Sequence, residues 1–346
     1  MSPPATQIAV EDVERRSGGA DLVEQLRHSE PRERARIELR GAYLRDVDLS
    51  NLDLSRLDLS GADLSGSNLS GAKLSGAVLR GATLFRARLD RAELLGANLV
   101  EANLMGCHAE GAGFGGADLC GANLCDAVLR GATFTQACLV GAELRCADLR
   151  DARILGADLS SADLQRADLR DAELSGSRVE RAILTGCDLR GAQLSDLSAF
   201  ETADWIGVDL RDADLRGALR LRRFVLDENY LHEVRNRSRA SSMLYSVWWA
   251  TSDCGRSLTR WALWVTLVVA LFGALYGLVD VDYGDHPTFL SPIYFSVVTL
   301  TTLGYGDVVP ASPAAQIVAM LEVVVGYMAL GGLISIFANK MARRAE

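Results

Sequence analysis

Residues 57–76 read LDLSGADLSGSNLSGAKLSG. Leu59, Leu64, Leu69 and Leu74 stand five apart, and Ala62 and Ala72 stand two before Leu64 and Leu74. Outward from there the spacing runs from Leu39 to Leu194, thirty-two positions, all Leu, Ile, Val or Phe except Ala109. The residue before the central one is often polar, as in Asp63, Asn68, Asn98, Asp118, Asp148 and Asp163. A helix repeats about every 3.6 residues and a strand about every 2. A period of five therefore demands a corner in every unit. The central residue and the Ala two before it point inward, where converging sides leave a narrow interior. Arg, Ser, Asp and Gly face out at the corners.

The pattern resembles the pentapeptide-repeat family, whose motif is close to Ala-[Asp/Asn]-Leu-x-x. The resemblance implies an all-β, right-handed quadrilateral β-helix with one unit per side. Thirty-two units at four per coil make eight coils. At ~4.8 Å per coil the rod is about 38 Å long, and each coil buries its face against its neighbours. The register breaks after Leu194, where Ala199 and Asp204 take the next two central positions, and resumes one residue out of phase at Leu210 and Leu215. Phe200, Trp205 and Ile206 in the break read as a cap. The helical spacing of Ala20 to Ile37 reads as a cap at the other end.

Residues twenty apart should stack. Cys120 then falls on Val140, Cys125 on Arg145 and Cys107 on Ala127. No cysteine stacks on another, so no disulfide ladder is expected. With Cys138, Cys146, Cys187 and Cys254 also outside any CxxC or Cys/His metal spacing, all seven read as reduced thiols packed as small hydrophobes. The net charge of −9 disfavours nucleic acid as a partner. Acidic and basic residues are interleaved along the repeats, which reads as a solvated surface rather than a one-signed face. No nucleophile, base or metal cluster suggests an enzyme.

After Arg260 the composition changes. Trp261 to Val279 carries no charge over 19 residues, and Ile317 to Ala338 spans 22 residues with Glu322 as its one charge. Each is long enough to cross a bilayer. No Lys or Arg occurs from Trp261 through Asn339. Arg235, Arg237, Arg239, Arg256 and Arg260 precede the first span; Lys340, Arg343 and Arg344 follow the second. The positive-inside rule puts both ends in the cytoplasm, and the connector with Asp280, Asp282, Asp285 and Asp307 outside. Met1 to Arg16 lacks the apolar core of a secretory signal. Arg222 to Thr259 mixes basic residues with Leu244, Tyr245, Val247, Trp248 and Trp249. It reads either as an interfacial amphipathic helix anchored by Trp or as a packed linker helix.

The connector holds Thr301-Thr302-Leu303-Gly304-Tyr305-Gly306-Asp307. It resembles the selectivity-filter signature TVGYG of two-transmembrane-helix bacterial potassium channels, with Leu303 in place of the usual Val. The resemblance covers about Leu258 to Arg344. It implies that backbone carbonyls of Thr302, Leu303, Gly304 and Tyr305, with the Thr302 hydroxyl, coordinate dehydrated K+ on a four-fold axis. Gly304 and Gly306 allow the backbone angles, and Tyr305 braces the filter. Pro292 to Leu300 matches the pore helix, whose C-terminal end favours a cation. Tyr294 and Phe295 match the family's aromatic pair, with Tyr294 placed to bond Asp307. Gly326 falls where the family has its hinge glycine, with Gly331 and Gly332 as alternatives. A hinge and close helix packing are equally good readings of it. Ile334 and Ala338 would line the inner mouth. Glu322, four residues before Gly326, is an intramembrane acid that reads either as setting filter or gate stability or as a structural carboxyl, protonated or bonded behind the filter.

The expected layout is an N-terminal segment over 1–36, a cytoplasmic β-helix over 37–218, a linker with an interfacial helix over 219–257, and an all-α pore domain over 258–346. The expected function is a potassium-selective homotetramer in the cell's inner (plasma) membrane, gated from the cytoplasmic side. Its partners are three identical subunits, the lipid bilayer, and an unidentified ligand or protein on the β-helix. No cofactor beyond permeant K+ is expected. The rival readings are a non-selective cation channel of the same architecture and a membrane-anchored repeat scaffold.

Overall fold

The computed structural model describes residues 19, 21–34, 36–216, 218–254, 257–284 and 287–342. The sequence readings on Met1 to Arg16, Ala20, Arg256, Asp285, Arg343 and Arg344 lie outside these residues. The chain divides into two compact units, Met1–Tyr230 and Leu231–Glu346.

In the first unit, parallel β-bridges join residues twenty apart from Tyr43↔Asp63 to Arg178↔Ser198. Each five-residue unit makes one bridge and one turn. In the unit at Leu64, the Asp63 N–H donates to Ala42 O at 2.9 Å and the Leu64 N–H to Thr83 O at 2.7 Å, one coil on either side. The turn closes by Ala62 N–H to Leu59 O at 3.0 Å, with Gly61 at φ 66°. The left-handed residue recurs every five positions, and Gly holds about half of these corners. At Gly66 a side chain would be strained at φ 67° and would displace the Asp46 carboxylate, whose Oδ1 lies 2.3 Å from where a Cβ would sit.

The interior is a column of fully buried Leu and Ala. Phe114 and Phe134 stack at 4.8 Å with parallel rings, one coil apart. Ser67 replaces an inward Ala and donates to Leu64 O at 2.6 Å, so no buried hydroxyl is wasted there. Outside, Asp-x-Arg units interlock. Arg170 pairs with Asp168 at 2.7 Å in its own coil and with Asp188 at 3.7 Å in the next. Arg150 and Arg190 repeat the arrangement with Asp168 and Asp209. These pairs hold the carboxyls of Asp148 and Asp188 below the usual range and that of Asp209 at about 2, each chiefly through the adjacent arginine.

Two sequence expectations need correction. First, the break after Leu194 does not end the coil. The bridges shift from twenty to twenty-one residues at Ile183↔Asp204 and stay there through Gln193↔Asp214. A 3-10 turn at Phe200–Thr202 absorbs the extra residue. Trp205 then enters the interior with 1% of its surface exposed, its indole N–H donating to Phe200 O at 2.9 Å. Leu221 and Val225, buried on the helix that begins at Leu219, cover the end instead. At the opposite end, a helix over 21–28 buries Leu26 against the same core, and Arg27 bonds Asp48.

Second, Cys120 and Cys138 are joined by a disulfide. Stacking by twenty missed it because Cys138 sits over Asp118, two residues before Cys120. Side chains two apart on a strand share a face, so the diagonal neighbour is eighteen residues away. Cys107 and Cys187 fit the original reading: burial pushes both thiols up to about 12, leaving them small neutral core residues.

The second unit is helical. Labels follow chain order, with α1 over 21–28, α2 Pro31–Arg34 and α3 Leu219–Asn236. Then come α4 Arg239–Ser252, α5 Leu258–Tyr276, β1 Val281–Asp282, α6 Ser291–Leu300, β2 Val309–Pro310 and α7 Pro313–Ala342. Ser238 starts α4 with a capping box, so a helix boundary falls inside the stretch read as one linker. Ser257 caps α5 and sets its start before Trp261. Ser312 caps α7 by accepting the Ala315 N–H at 3.2 Å, ahead of Ile317. α5 and α7 are long and apolar enough to cross a membrane.

Candidate ion pathway at the 301–307 loop

α6 starts with Pro292 in its first turn and ends at Thr301, whose hydroxyl donates to Val297 O at 2.7 Å. Beyond it the backbone alternates in hand. Thr302, Gly304 and Gly306 have φ of 58°, 50° and 79°, whereas Leu303 and Tyr305 are not left-handed. In an ordinary strand successive carbonyls point to opposite sides; reversing the hand at alternate residues turns them to one side. A Cβ on Gly304 or Gly306 would meet nothing within 4 Å, so glycine serves the conformation there, not the space. All of 301–307 is exposed in one chain.

Behind the loop, the Tyr294 hydroxyl donates to Asp307 Oδ2 at 2.7 Å. This bond ties α6 to the residue that follows Gly306. β1 and β2 hold the chain that leaves the loop, with Val281 opposite Pro310 and Ala311 N–H donating to Asp280 O at 3.1 Å. Phe295, the other aromatic, is buried and packs on Tyr276 at 4.6 Å between ring centres.

Glu322 is fully buried. The Tyr276 hydroxyl donates to its Oε2 at 2.6 Å, and the Ser296 hydroxyl donates to Oε1. One carboxyl group thus fastens α5, α6 and α7 together. Burying it would be costly without such partners. Sequence reasoning singled out Glu322 and missed both partners. The available signal was a Tyr near the end of an otherwise apolar span and Ser296 within the apolar stretch from Pro292 to Leu300.

Gly326 lies one turn further along α7. A Cβ there would stand 2.2 Å from Leu300 O, so this glycine lets α7 approach the end of α6. Gly273 serves α5 likewise against Ile293, 3.2 Å away. Gly331 faces open space, and Gly332 faces the Trp261 ring at 3.5 Å. Trp261 donates its indole N–H to Ala329 O at 3.0 Å. Trp248, Trp261 and Trp264 help line an apolar cavity of about 320 Å³. The structure places Ile334 and Ala338 on the last turns of α7, exposed, and does not bring them to the loop.

Residues 264–343 match the family model described as an ion channel, and eight copies of the pentapeptide repeat match between residues 37 and 196. The human voltage-gated potassium channel regulatory subunit KCNG1 is 31% identical over 98 residues, covering 28% of this chain and 19% of that protein. The calcium-gated potassium channel TvoK of Thermoplasma volcanium is 34% identical over 88 residues, covering 23% of this chain and 25% of that protein. The chain therefore spans about a fifth to a quarter of the length of these relatives. Among solved structures, HetL, a pentapeptide repeat protein from Nostoc, is 32% identical and covers 54% of this chain and 91% of its own, with a TM-score of 0.32. This chain thus joins a run of pentapeptide repeats to a membrane segment of the potassium-channel type.

Proposed function

We propose that the chain is one subunit of a potassium-selective channel, closed by four identical copies around the 301–307 loop. The observation that carries this reading is the alternating hand of Thr302, Leu303, Gly304, Tyr305 and Gly306 between two apolar helices. Such a strand aims several carbonyls at one line, and oxygens from one chain alone cannot surround an ion. Fourfold symmetry would complete rings of carbonyls from Thr302 to Tyr305 that replace the hydration shell of K+. The exposed apolar faces of α5 and α7 and the bare loop fit a surface covered by lipid and by sister subunits.

In this reading α6 is the pore helix, directing its negative end at the ion. The Tyr294–Asp307 bond and the Glu322 cluster support the filter from behind. Ile334 and Ala338 line the inner mouth. Both ends face the cytoplasm of the inner membrane, as the arginines beside the spans favour. The repeats form a right-handed, four-sided rod over 37–218 that serves gating or assembly, followed by the linker over 219–257 and the pore over 258–346.

The test is flux of K+ against Na+ from liposomes holding the full chain. A tetramer passing K+ and blocked by Ba2+ is expected. Equal passage of Na+ would leave a non-selective cation channel of the same architecture. A monomer with no flux would overturn the proposal.

A further inference from the structure

Outside the membrane unit, one place among the described residues brings together three donors that could hold a metal ion: Asp118, Cys120 and Cys138. Their ligating atoms lie within 4.8 Å of one another, and all three side chains are half-buried. The coil geometry creates the cluster. Asp118 and Cys120 flank the inward Leu119 on one outward face, and Cys138 stands over Asp118 in the next coil. The Cys120 and Cys138 Cα atoms are 5.9 Å apart. Asp118 Oδ1 accepts the Cys120 N–H at 3.1 Å, which fixes the carboxylate beside both sulfurs. The neighbouring rungs add no cation. Asn98 and Asp158 lie below and above in one column, Val100, Val140 and Ser160 in the other.

We propose that Asp118, Cys120 and Cys138 form a thiolate–carboxylate site for a borderline or soft divalent cation of the Zn2+ and Cd2+ class, open when the cysteine pair is reduced and closed when it is oxidised. In the oxidised state the sulfurs are bonded to each other and cannot ligate. Reduction takes two molecules of a thiol. They deliver two electrons and two protons to the disulfide and leave as their own disulfide. The cation then displaces the two thiol protons and binds both sulfurs. Two thiolates at about 2.3 Å from a tetrahedral Zn2+ stand ~3.8 Å apart, a separation that side-chain rotation supplies without moving the coils. The carboxylate is the third ligand and water the fourth. Two sulfurs select against Mg2+ and Ca2+, which take oxygen ligands. In a reducing compartment the disulfide does not persist, so the metal form is the resting state there. The site does not depend on ion conduction.

The test uses the full chain in detergent, reduced with a phosphine and stripped with a chelator. Titration with Cd2+ is followed by thiolate-to-cadmium charge-transfer absorption, and Zn2+ is then added as competitor. The expected result is a saturating band that Zn2+ displaces. Cys120→Ser and Cys138→Ser should each abolish it, and Asp118→Asn should weaken binding by about tenfold or more. Cys146→Ser, at an exposed cysteine elsewhere, should leave it unchanged. Diamide should erase the band and reductant restore it. Zn2+ should also raise the unfolding temperature of the reduced wild-type rod and not that of the double cysteine variant. All substituted side chains face outward, so the variants should unfold near the wild-type temperature without metal. A reduced wild-type chain with no band, or a band that survives in the double variant, would overturn the proposal.

Discussion

Gly326→Ala probes the packing that sets the loop. The new Cβ would lie 2.2 Å from Leu300 O, 3.1 Å from its carbonyl carbon and 3.3 Å from its Cα, all backbone atoms. No flexible side chain can yield. Ordinary contact begins at 3.4 Å, so α7 and the end of α6 must part by 3.4 − 2.2, about 1.2 Å. Leu300 immediately precedes Thr301, so the displacement passes straight into the loop. Overpacking of this kind costs about 3 kcal/mol, the upper end of its usual range. Alanine's better helix propensity returns about 1 kcal/mol. The net loss of about 2 kcal/mol per chain corresponds to roughly a thirtyfold shift in an equilibrium constant. Gly331→Ala is the matched control, because nothing lies within 4 Å of its Cβ. We expect Gly326→Ala to lower both the unfolding temperature of the purified chain and its K+ flux in liposomes. Gly331→Ala should unfold at or above the wild-type temperature. A Gly326→Ala chain with wild-type unfolding and flux, or the reverse order of the two variants, would refute the packing argument.

Tyr276→Phe and Ser296→Ala each remove one donor from Glu322. Each should cost about 1–3 kcal/mol, and the pair should be non-additive in thermal unfolding, since they share one acceptor. Tyr294→Phe removes the 2.7 Å bond to Asp307, and flux should decay sooner during sustained conduction than in wild type. Phe134→Ala should cost the rod about 3–5 kcal/mol, with hydrogen exchange rising first in the coils next to Phe114. The acid limb comes from the Asp-x-Arg ladder. A carboxyl held below 3.8 when folded contributes stability that is full above that pH and is lost as pH falls towards about 2. The rod should therefore unfold at a slightly lower temperature across that window, a small effect because the pairs lie at the surface. Arg211→Gln should move the Asp209 midpoint up towards 3.8 by NMR titration.

The architecture was readable because both halves are written in short-range code. A five-residue period demands a corner in every unit, the resemblance to pentapeptide repeats implies the four-sided coil, and apolar runs flanked by arginines fit a bilayer. In TTLGYGD the glycines hold two of the three left-handed positions and Thr302 the third, and Leu303 does not disturb the alternation. The misreadings share one cause. Stacking by twenty treats the rod as a set of columns, so it finds Cys138 over Asp118 and misses the diagonal to Cys120. It also treats a phase slip as an end, whereas a 3-10 turn lets the coil continue with Trp205 inside.

What sequence alone determined here is what neighbours along the chain impose: the corner every five residues, the two long apolar segments, and the glycines that the loop's backbone needs. What only the tertiary structure decided is which distant side chains meet. Tyr276, Ser296 and Glu322 lie far apart in the chain and share no pattern, yet one buried carboxyl needs both donors. Gly326 reads equally as a hinge or a packing residue until Leu300 O is found against it. Local periodicity encodes direction and face; the pairing of faces is chosen by burial, and only the folded chain records that choice.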